Sequence, residues 1–315
     1  MRKLLILLLA LTLLIPAALA ESTLEPLLMT TPDDPDAALD IIPHAPNPDL
    51  FFEETEGEEV ISYYEDESIS VTLKHIWVGD ARFNVAWVKI VDPSQLRTEV
   101  EKPYSTQQSN LVATMGARQN AVVAIGGDNY KGSKVGHIFR MGKRMRWAKS
   151  ANRDELFIDA NGNFTILKAP SNEEVTALLE GETPIINVFS FGPALVIDGV
   201  LQEIPKTKDY ANKLGDTSGL NPRCAIGQLG ELEYMLIVVD GRGQEGSEGC
   251  TTEVLAQFMY EQGCVQAYNL DGGNSADLYF NGGVYSHEKS KPRSLSDIIY
   301  FATLVDAGLD AEAAK

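Results

Sequence analysis

The stretch YMLIVVD, Tyr234 to Asp240, is apolar at every position up to its closing aspartate. A strand with one wet face alternates apolar and polar residues, so an unbroken run of this length reads as a strand covered on both faces. AVVAIG (121–126) and RCAIGQ (223–228) have the same character. Such a chain must place layers on both sides of a sheet. Elsewhere the pattern alternates. ISVTLKHIWV and ARFNVAWVKIV flank Gly79-Asp80, and ELFIDANGNFTIL sets Asn161-Gly162 between two alternating runs, so both read as hairpins. Ser171 with Glu174 forms a capping box for one helix, closed by Gly181. A second helix is expected from Thr251 to Gln262, with Val254 and Phe258, then Leu255 and Met259, at helical spacing. Lying between YMLIVVD and VQAYNLDGG, it could cross between neighbouring strands. The expected fold class is α/β (α+β), a strand-rich mixed β-sheet domain with few helices.

The chain opens MRKLLILLLALTLLIPAALA, a basic start, an apolar stretch and a small-x-small end. This is the pattern of a signal peptide over residues 1–20, implying a secreted or cell-envelope protein with no stable membrane span after cleavage. Residues 21–60 hold twelve acidic residues, six prolines and no Lys or Arg, which reads as a disordered spacer. Residues 61–306 make one domain, and 307–315 a flexible tail. The formal charge is −19, and loss of Arg2 and Lys3 with the leader takes it to −21. Nucleic acid, which is bound through clustered Lys and Arg, is therefore a poor partner. Cys224, Cys250 and Cys264 are an odd set. Cys250 and Cys264 flank a helix too long to bridge, whereas a Cys224–Cys250 bridge and three free thiols both fit.

Three apolar strands end in carboxylates beside glycines: Gly126-Gly127-Asp128-Asn129, Asp240-Gly241-Arg242, and Asn269-Leu270-Asp271-Gly272-Gly273-Asn274-Ser275. Singly, these are ordinary turn formers. Together they place carboxylates where open sheets hold ligands, with glycines that let backbone N–H groups approach an anion. Arg223, opening RCAIGQ, has the geometry for a phosphate or carboxylate. The set suits a sugar carrying a phosphate. The chain has no G-x-S-x-G elbow, H-E-x-x-H, phosphate-loop or dinucleotide motif. No cofactor is required. The carboxylates could hold a divalent cation, but none has recognisable ligand spacing.

These segments resemble the phosphodiester glycosidase family. AIGGDNY is similar to its N-G-G/D-[FY]-F segment, VFSFGPALVIDG to G-P-x-L-x-x-D-G, and NPRCAIGQ to P-R-T-A-I-G with Cys224 in the Thr place. VVDGR and the run through NLDGGNSADL resemble VDGR…G-x-T-x-x-E-x-A…NLDGGGSS, and SKPRSLSDIIYFA resembles the closing R-x-V-x-x-x-[IL] strand. Gly126 stands where the family has Asn, while Asn274 and Ala276 replace its third Gly and second Ser. The resemblance implies hydrolysis between a sugar's anomeric carbon and a phosphodiester oxygen. It implies Asp271 as the central carboxylate, Asp128 as its partner and Asp240 as a third. Arg223, Arg242, Asn129, Asn269, Asn274, Ser275, Glu253 and the Gly126, Gly127, Gly272 and Gly273 backbone would hold substrate and phosphate. The implied partner is a phosphorylated carbohydrate or cell-envelope glycan. A non-catalytic glycan-binding or exopolysaccharide-assembly protein on the same scaffold is the alternative.

Overall fold

The alternating pair forms the hairpin that its turn requires. In the computed structural model, which describes residues 24–30, 34, 36–101, 109–207, 215–286 and 292–309, β3 (Ile69–Val78) and β4 (Ala81–Ile90) pair from Ile69↔Ile90 to Val78↔Ala81. Only Gly79-Asp80 lies between them, and Gly79 takes the left-handed conformation (φ +57°) that a two-residue turn demands. This hairpin sits inside a nine-stranded sheet. Its order is β1 (Phe51–Glu56), β2 (Glu59–Glu65), β3, β4, β15 (Glu233–Val239), β14 (Arg223–Gly230), β16 (Gln266–Leu270), β12 (Ala194–Ile197) and β13 (Val200–Leu201). A five-stranded sheet runs β10 (Phe164–Leu167), β9 (Glu155–Asp159), β11 (Ile185–Phe189), β7 (Ile138–Arg140) and β8 (Lys143–Arg146). A second runs β18 (Gly283–Val284), β17 (Leu278–Phe280), β6 (Val123–Gly126), β19 (Asp297–Phe301) and β5 (Leu96–Val100). The described helices are α1 (Ala37–Asp40), α2 (Val112–Arg118), α3 (Asn172–Leu179) and α4 (Thr252–Glu261).

The unbroken apolar run is explained by what covers β15. Leu236 and Val238 join a core with Ile125, Ile299, Leu156 and Phe189 from the two smaller sheets. Met235, Ile237 and Val239 point the other way, onto Leu255, Phe258 and Met259 of α4. Each face is dry, so neither can carry polar residues. The strand-rich class with few helices holds, and neighbouring described strands pair antiparallel throughout. Helix α4 is capped by Thr251, whose hydroxyl accepts from the Val254 N–H. It does not join neighbours as expected. β15 and β16 both flank β14, so α4 spans a gap of one strand. Val254, expected on its packed stripe, faces solvent.

The second hairpin and the other cap also form. Asp159 and Asn163 bracket Asn161-Gly162 between β9 and β10, and the Gly162 carbonyl accepts from Tyr234 Oη at 2.8 Å. A Cβ on Gly162 would meet that oxygen at 2.4 Å, so glycine is needed there for close approach as well as for its φ of +78°. Ser171 and Glu174 make both halves of their capping box. All three cysteines are free and buried, and burial pushes the Cys250 and Cys264 thiols up to about 12.

The expected spacer is a correction. The leader (1–20) lies outside the described residues, as do 310–315 of the tail. Residues 51–65, however, form the β1–β2 hairpin, closed by Gly57 at φ +66°. Acidic composition does not prevent this, because β1 is an edge strand whose glutamates face water while Phe51 and Phe52 pack on Tyr64 and Tyr63. The segment before it is held by Arg97, fully buried on β5. Its guanidinium donates to the carbonyls of Leu28 at 3.0 Å and Ala38 at 2.6 Å, and to Ser94 O at 3.3 Å. The order comes from the domain's donors, which composition does not report.

Replacing Arg97 with Met leaves those buried carbonyls without their charged donor. The expected loss is about 3 kcal/mol of stability, read as a lowered urea midpoint, with proteolysis of residues 24–50 preceding global unfolding.

Candidate active site

The turn after β6 is built around a carboxylate from another strand. Gly127 has Asp297 Oδ2 where a side chain would stand: an added Cβ would lie 2.1 Å from that oxygen. Gly126 is equally constrained, by Leu295 Cδ1 at 2.6 Å. The Gly127 N–H donates to Asp297 O at 3.0 Å, and the Asp128 N–H points at Asp297 Oδ2 at 3.4 Å. These glycines therefore serve an internal carboxylate and do not form the phosphate cradle expected of them.

Asp297 and Asp128 share one cation. Arg140, at the end of β7, donates to Asp297 Oδ2 from Nε (3.1 Å) and Nη2 (2.7 Å), and from Nη2 to Asp128 Oδ1 at 2.6 Å. Its remaining donors reach Phe139 O and Val188 O, and its plane lies 3.9 Å from the Phe189 ring centroid. The other Asp128 oxygen accepts from the Ser190 N–H at 2.9 Å. All three charged side chains are buried. Burial raises the Asp128 carboxyl most, Arg140 lowers it and Asp297 raises it again, leaving it at about 6. With both oxygens occupied behind the surface, Asp128 is placed as a supporting group and not as the open catalytic partner anticipated.

Asp271 is the carboxylate that meets solvent. It follows β16, its N–H donates to Gly127 O at 3.3 Å, and Asn129 Nδ2 donates to its Oδ2 at 3.0 Å. Asn129 adopts φ +45°, a left-handed turn that asparagine tolerates, and so carries its amide across to Asp271. Burial holds the Asp271 carboxyl above the ordinary range, opposed by Ser275, by Arg293 and by Asn129. Arg293 Nη1 lies 3.6 Å from Oδ2.

Asp271 lines a cleft with Asp216, Asn221, Arg223, Arg242, Asn269 and Arg293, beside the Gly272-Gly273 backbone and the Phe191 ring. Asn269 Nδ2 donates to Gly192 O at 2.8 Å, while its buried Oδ1 meets no donor among the described residues. Arg242 Nη1 donates to Asn274 Oδ1 at 2.8 Å and Nη2 to Asn221 Oδ1 at 3.2 Å. Arg223 is a correction: its guanidinium donates to the carbonyls of Cys250, Asp216 and Gly219, so most of its donor capacity holds the cleft wall. Asp240 is another. It does not line the cleft, and its carboxylate accepts from Asn84 Nδ2 at 2.9 Å beside Arg82. Glu253 lies apart, paired with Lys206 at 3.2 Å on the surface. Among the described residues no group of three or more His, Cys, Asp or Glu is arranged to hold a metal ion.

The model of the phosphodiester glycosidase family matches residues 119–302, which include every residue of this cleft. The chain belongs to that family. It is 28% identical over 181 residues to the SPbeta prophage-derived uncharacterized protein YomE of Bacillus subtilis, covering 57% of this chain and 27% of that protein. It is 26% identical over 163 residues to N-acetylglucosamine-1-phosphodiester alpha-N-acetylglucosaminidase of Bos taurus, covering 50% of this chain and 30% of the enzyme. The matched region thus spans under a third of either relative's length. Among solved structures, the zebrafish N-acetylglucosamine-1-phosphodiester alpha-N-acetylglucosaminidase catalytic domain auto-inhibited by pro-peptide superposes with a TM-score of 0.59 at 20% identity, over 81% of this chain and 88% of that one. A hypothetical protein from Synechocystis gives 0.54 at 14% identity, over 79% and 67%. These two likenesses concern the fold.

Within this family fold, the residues that the sequence did not assign to the site are Arg140, Asp297, Arg293, Asn221 and Asp216. Arg293 was in view, as the Arg of the closing motif, and Asp297 stands four residues beyond it. Arg140 sits on a three-residue strand with no pattern around it.

Arg140→Met should cost about 3–5 kcal/mol at neutral pH, since two buried carboxylates lose their shared cation. The Asp128 carboxyl, already above its unfolded value, then rises further, so the folded state binds more protons than the unfolded one. Its stability should fall as pH rises through 6 and recover on acidification to about 5.5. Urea midpoints for both proteins at pH 5.5 and 7.5 read the difference.

Proposed function

We propose that this chain hydrolyses the bond between the anomeric carbon of a sugar, of the N-acetylglucosamine type, and a phosphodiester oxygen. One observation carries the reading: a buried carboxylate, Asp271, shares a cleft wall with two cations, Arg242 and Arg293. Cleavage at the anomeric carbon develops positive charge on the sugar and negative charge on the departing phosphate. A carboxylate beside arginines matches that separation of charge. Family membership and the names of the bovine and zebrafish relatives support the same chemistry.

In this reading the Asp271 carboxylate stabilises the oxocarbenium-like transition state, either directly or by activating water. The leaving group is already an acidic phosphate, so it needs little protonation. Arg242 and Arg293 take the growing phosphate charge. Asn269 Oδ1, buried and without a donor among the described residues, accepts from a sugar hydroxyl. Asn129, held by Asp271 on one side and next in chain to Asp128, transmits the orientation of the buried trio to the open carboxylate. The leader-like first twenty residues support a reaction outside the cytoplasm, on an envelope or secreted glycan.

Sugar release from an N-acetylglucosamine-1-phosphodiester is the test. Asp271→Asn should lower kcat by at least about a thousandfold with the fold retained, and full activity in that variant would remove Asp271 from its role. Binding without turnover in the unaltered protein would favour a glycan-binding protein. The acid limb of kcat/KM should lie above the ordinary carboxylate range, because burial raises Asp271. Arg293→Gln removes a cation that lowers that carboxyl, so the limb should move further up in pH.

A further inference from the structure

We infer that Asn274 is a positioning residue for Arg242, fixing that arginine as the anchor for a monoanionic phosphodiester. The inference rests on the reading of the cleft above. Where the family pattern has glycine, this chain carries a side-chain acceptor that glycine lacks, beside a backbone carbonyl that any residue would supply. The side-chain Oδ1 accepts from Arg242 Nη1 at 2.8 Å, and the backbone carbonyl accepts from the Arg293 N–H at 3.0 Å.

Arg242 needs such a partner. It is exposed, so its long side chain would otherwise sample many rotamers. Its backbone lies at φ +62°, a conformation costly for a residue with a Cβ and held by the glycines on either side. Gly241 packs within 2.9–3.1 Å of Pro222 and Gly249 at its Cβ position, and Gly243 has φ +79°. The turn thus aims the side chain over Gly273, whose missing Cβ would stand 3.2 Å from Nη2. Two amide oxygens then hold the guanidinium, Asn274 on Nη1 and Asn221 on Nη2. Asn221 is itself fixed, its Nδ2 donating to Asp216 Oδ2 at 3.1 Å. Neutral acceptors matter here. They orient the guanidinium without cancelling its charge, whereas a carboxylate in the same place would oppose an anion. With Arg223 held by carbonyls and Arg293 paired to Asp271, Arg242 is the cleft arginine held by neutral side chains.

Titration calorimetry on the full chain reads binding apart from turnover when the ligand is a diester analogue that cannot be cleaved. The analogue is the monomethyl ester of the C-linked methylenephosphonate of N-acetylglucosamine, a monoanion with no anomeric C–O bond to cleave. Turnover is followed separately with the diester itself. Asn274→Ala should weaken binding of the analogue about tenfold, the worth of one charge-assisted hydrogen bond, with near-UV circular dichroism unchanged. Arg242→Ala should weaken it about thirtyfold or more, and adding Asn274→Ala to Arg242→Ala should change it less than about twofold, since the amide acts through the guanidinium. Where turnover is measurable, the Asn274→Ala loss should fall on KM with kcat within about twofold, as for uniform binding. Asn274→Gly, the residue usual in the family, should behave as Asn274→Ala does and covers the case in which alanine disturbs the turn. Asn274→Asp, which keeps the acceptor and adds charge, should bind more weakly than the unaltered protein. Unchanged affinity in both Asn274→Ala and Asn274→Gly overturns the inference, as do effects of Asn274 and Arg242 that multiply independently or no binding of the analogue at all. Tight binding without turnover would defeat the hydrolase reading and leave the anchor standing.

Discussion

Two carboxylates and one guanidinium, Asp128, Asp297 and Arg140, are shut away from water at the meeting point of the two smaller sheets. The group has one negative charge too many, and an isolated charge in such a place is costly. It persists because nearly every lone pair and N–H is matched: Ser190 and Ser296 donate to the carboxylates, Phe139 and Val188 accept from the arginine, and Phe189 covers its face. Much of the surrounding geometry follows. Gly127 must lack a side chain to admit Asp297. Asn129 must turn left-handed directly after Asp128, and that turn carries its amide to Asp271. The nine-stranded sheet contributes Asp271 itself and is joined to the trio by the bond from its N–H to Gly127 O.

What could be read from the chain alone was whatever is encoded locally. The two-sided burial of YMLIVV, the Gly79-Asp80 and Asn161-Gly162 turns and the two helix starts each depend on residues a few positions apart. The trio does not. Arg140 and Asp297 are 157 residues apart in sequence. Arg140 stands in no run that marks it, and the closing motif that contains Asp297 does not report that its carboxylate turns inward. Strand ends with Asp and Gly were visible, but a motif reports a residue's position and not its direction. Asp240 and Asp271 occupy similar strand ends, yet one is bound to Asn84 of the neighbouring strand β4 and the other opens on the cleft. Arg223 was misjudged for the same reason: residue type suggested a ligand, while the backbone carbonyls of its own wall claimed it. The acidic N-terminal stretch failed differently, because its order is conferred by Arg97 and by an existing sheet edge.

Asparagine does an unusual share of the work around the cleft. Asn129, Asn221, Asn269 and Asn274 each use a donor or acceptor to fix a neighbour. An amide offers both functions without net charge, so it can orient carboxylates and guanidiniums alike without altering the charge presented to a ligand.

The outermost strand of the large sheet has a consequence of its own. Among the described residues β1 is paired on one edge alone, with Phe52 and Val60 exposed nearby, and no proline interrupts it. Glu53, Glu54 and Glu56 line the open edge with like charge, which opposes the addition of a strand from a second molecule. A barrier made of charge is as strong as the surrounding solution allows. Dilute and concentrated salt would therefore present this edge to its neighbours as two different surfaces, one guarded and one sticky.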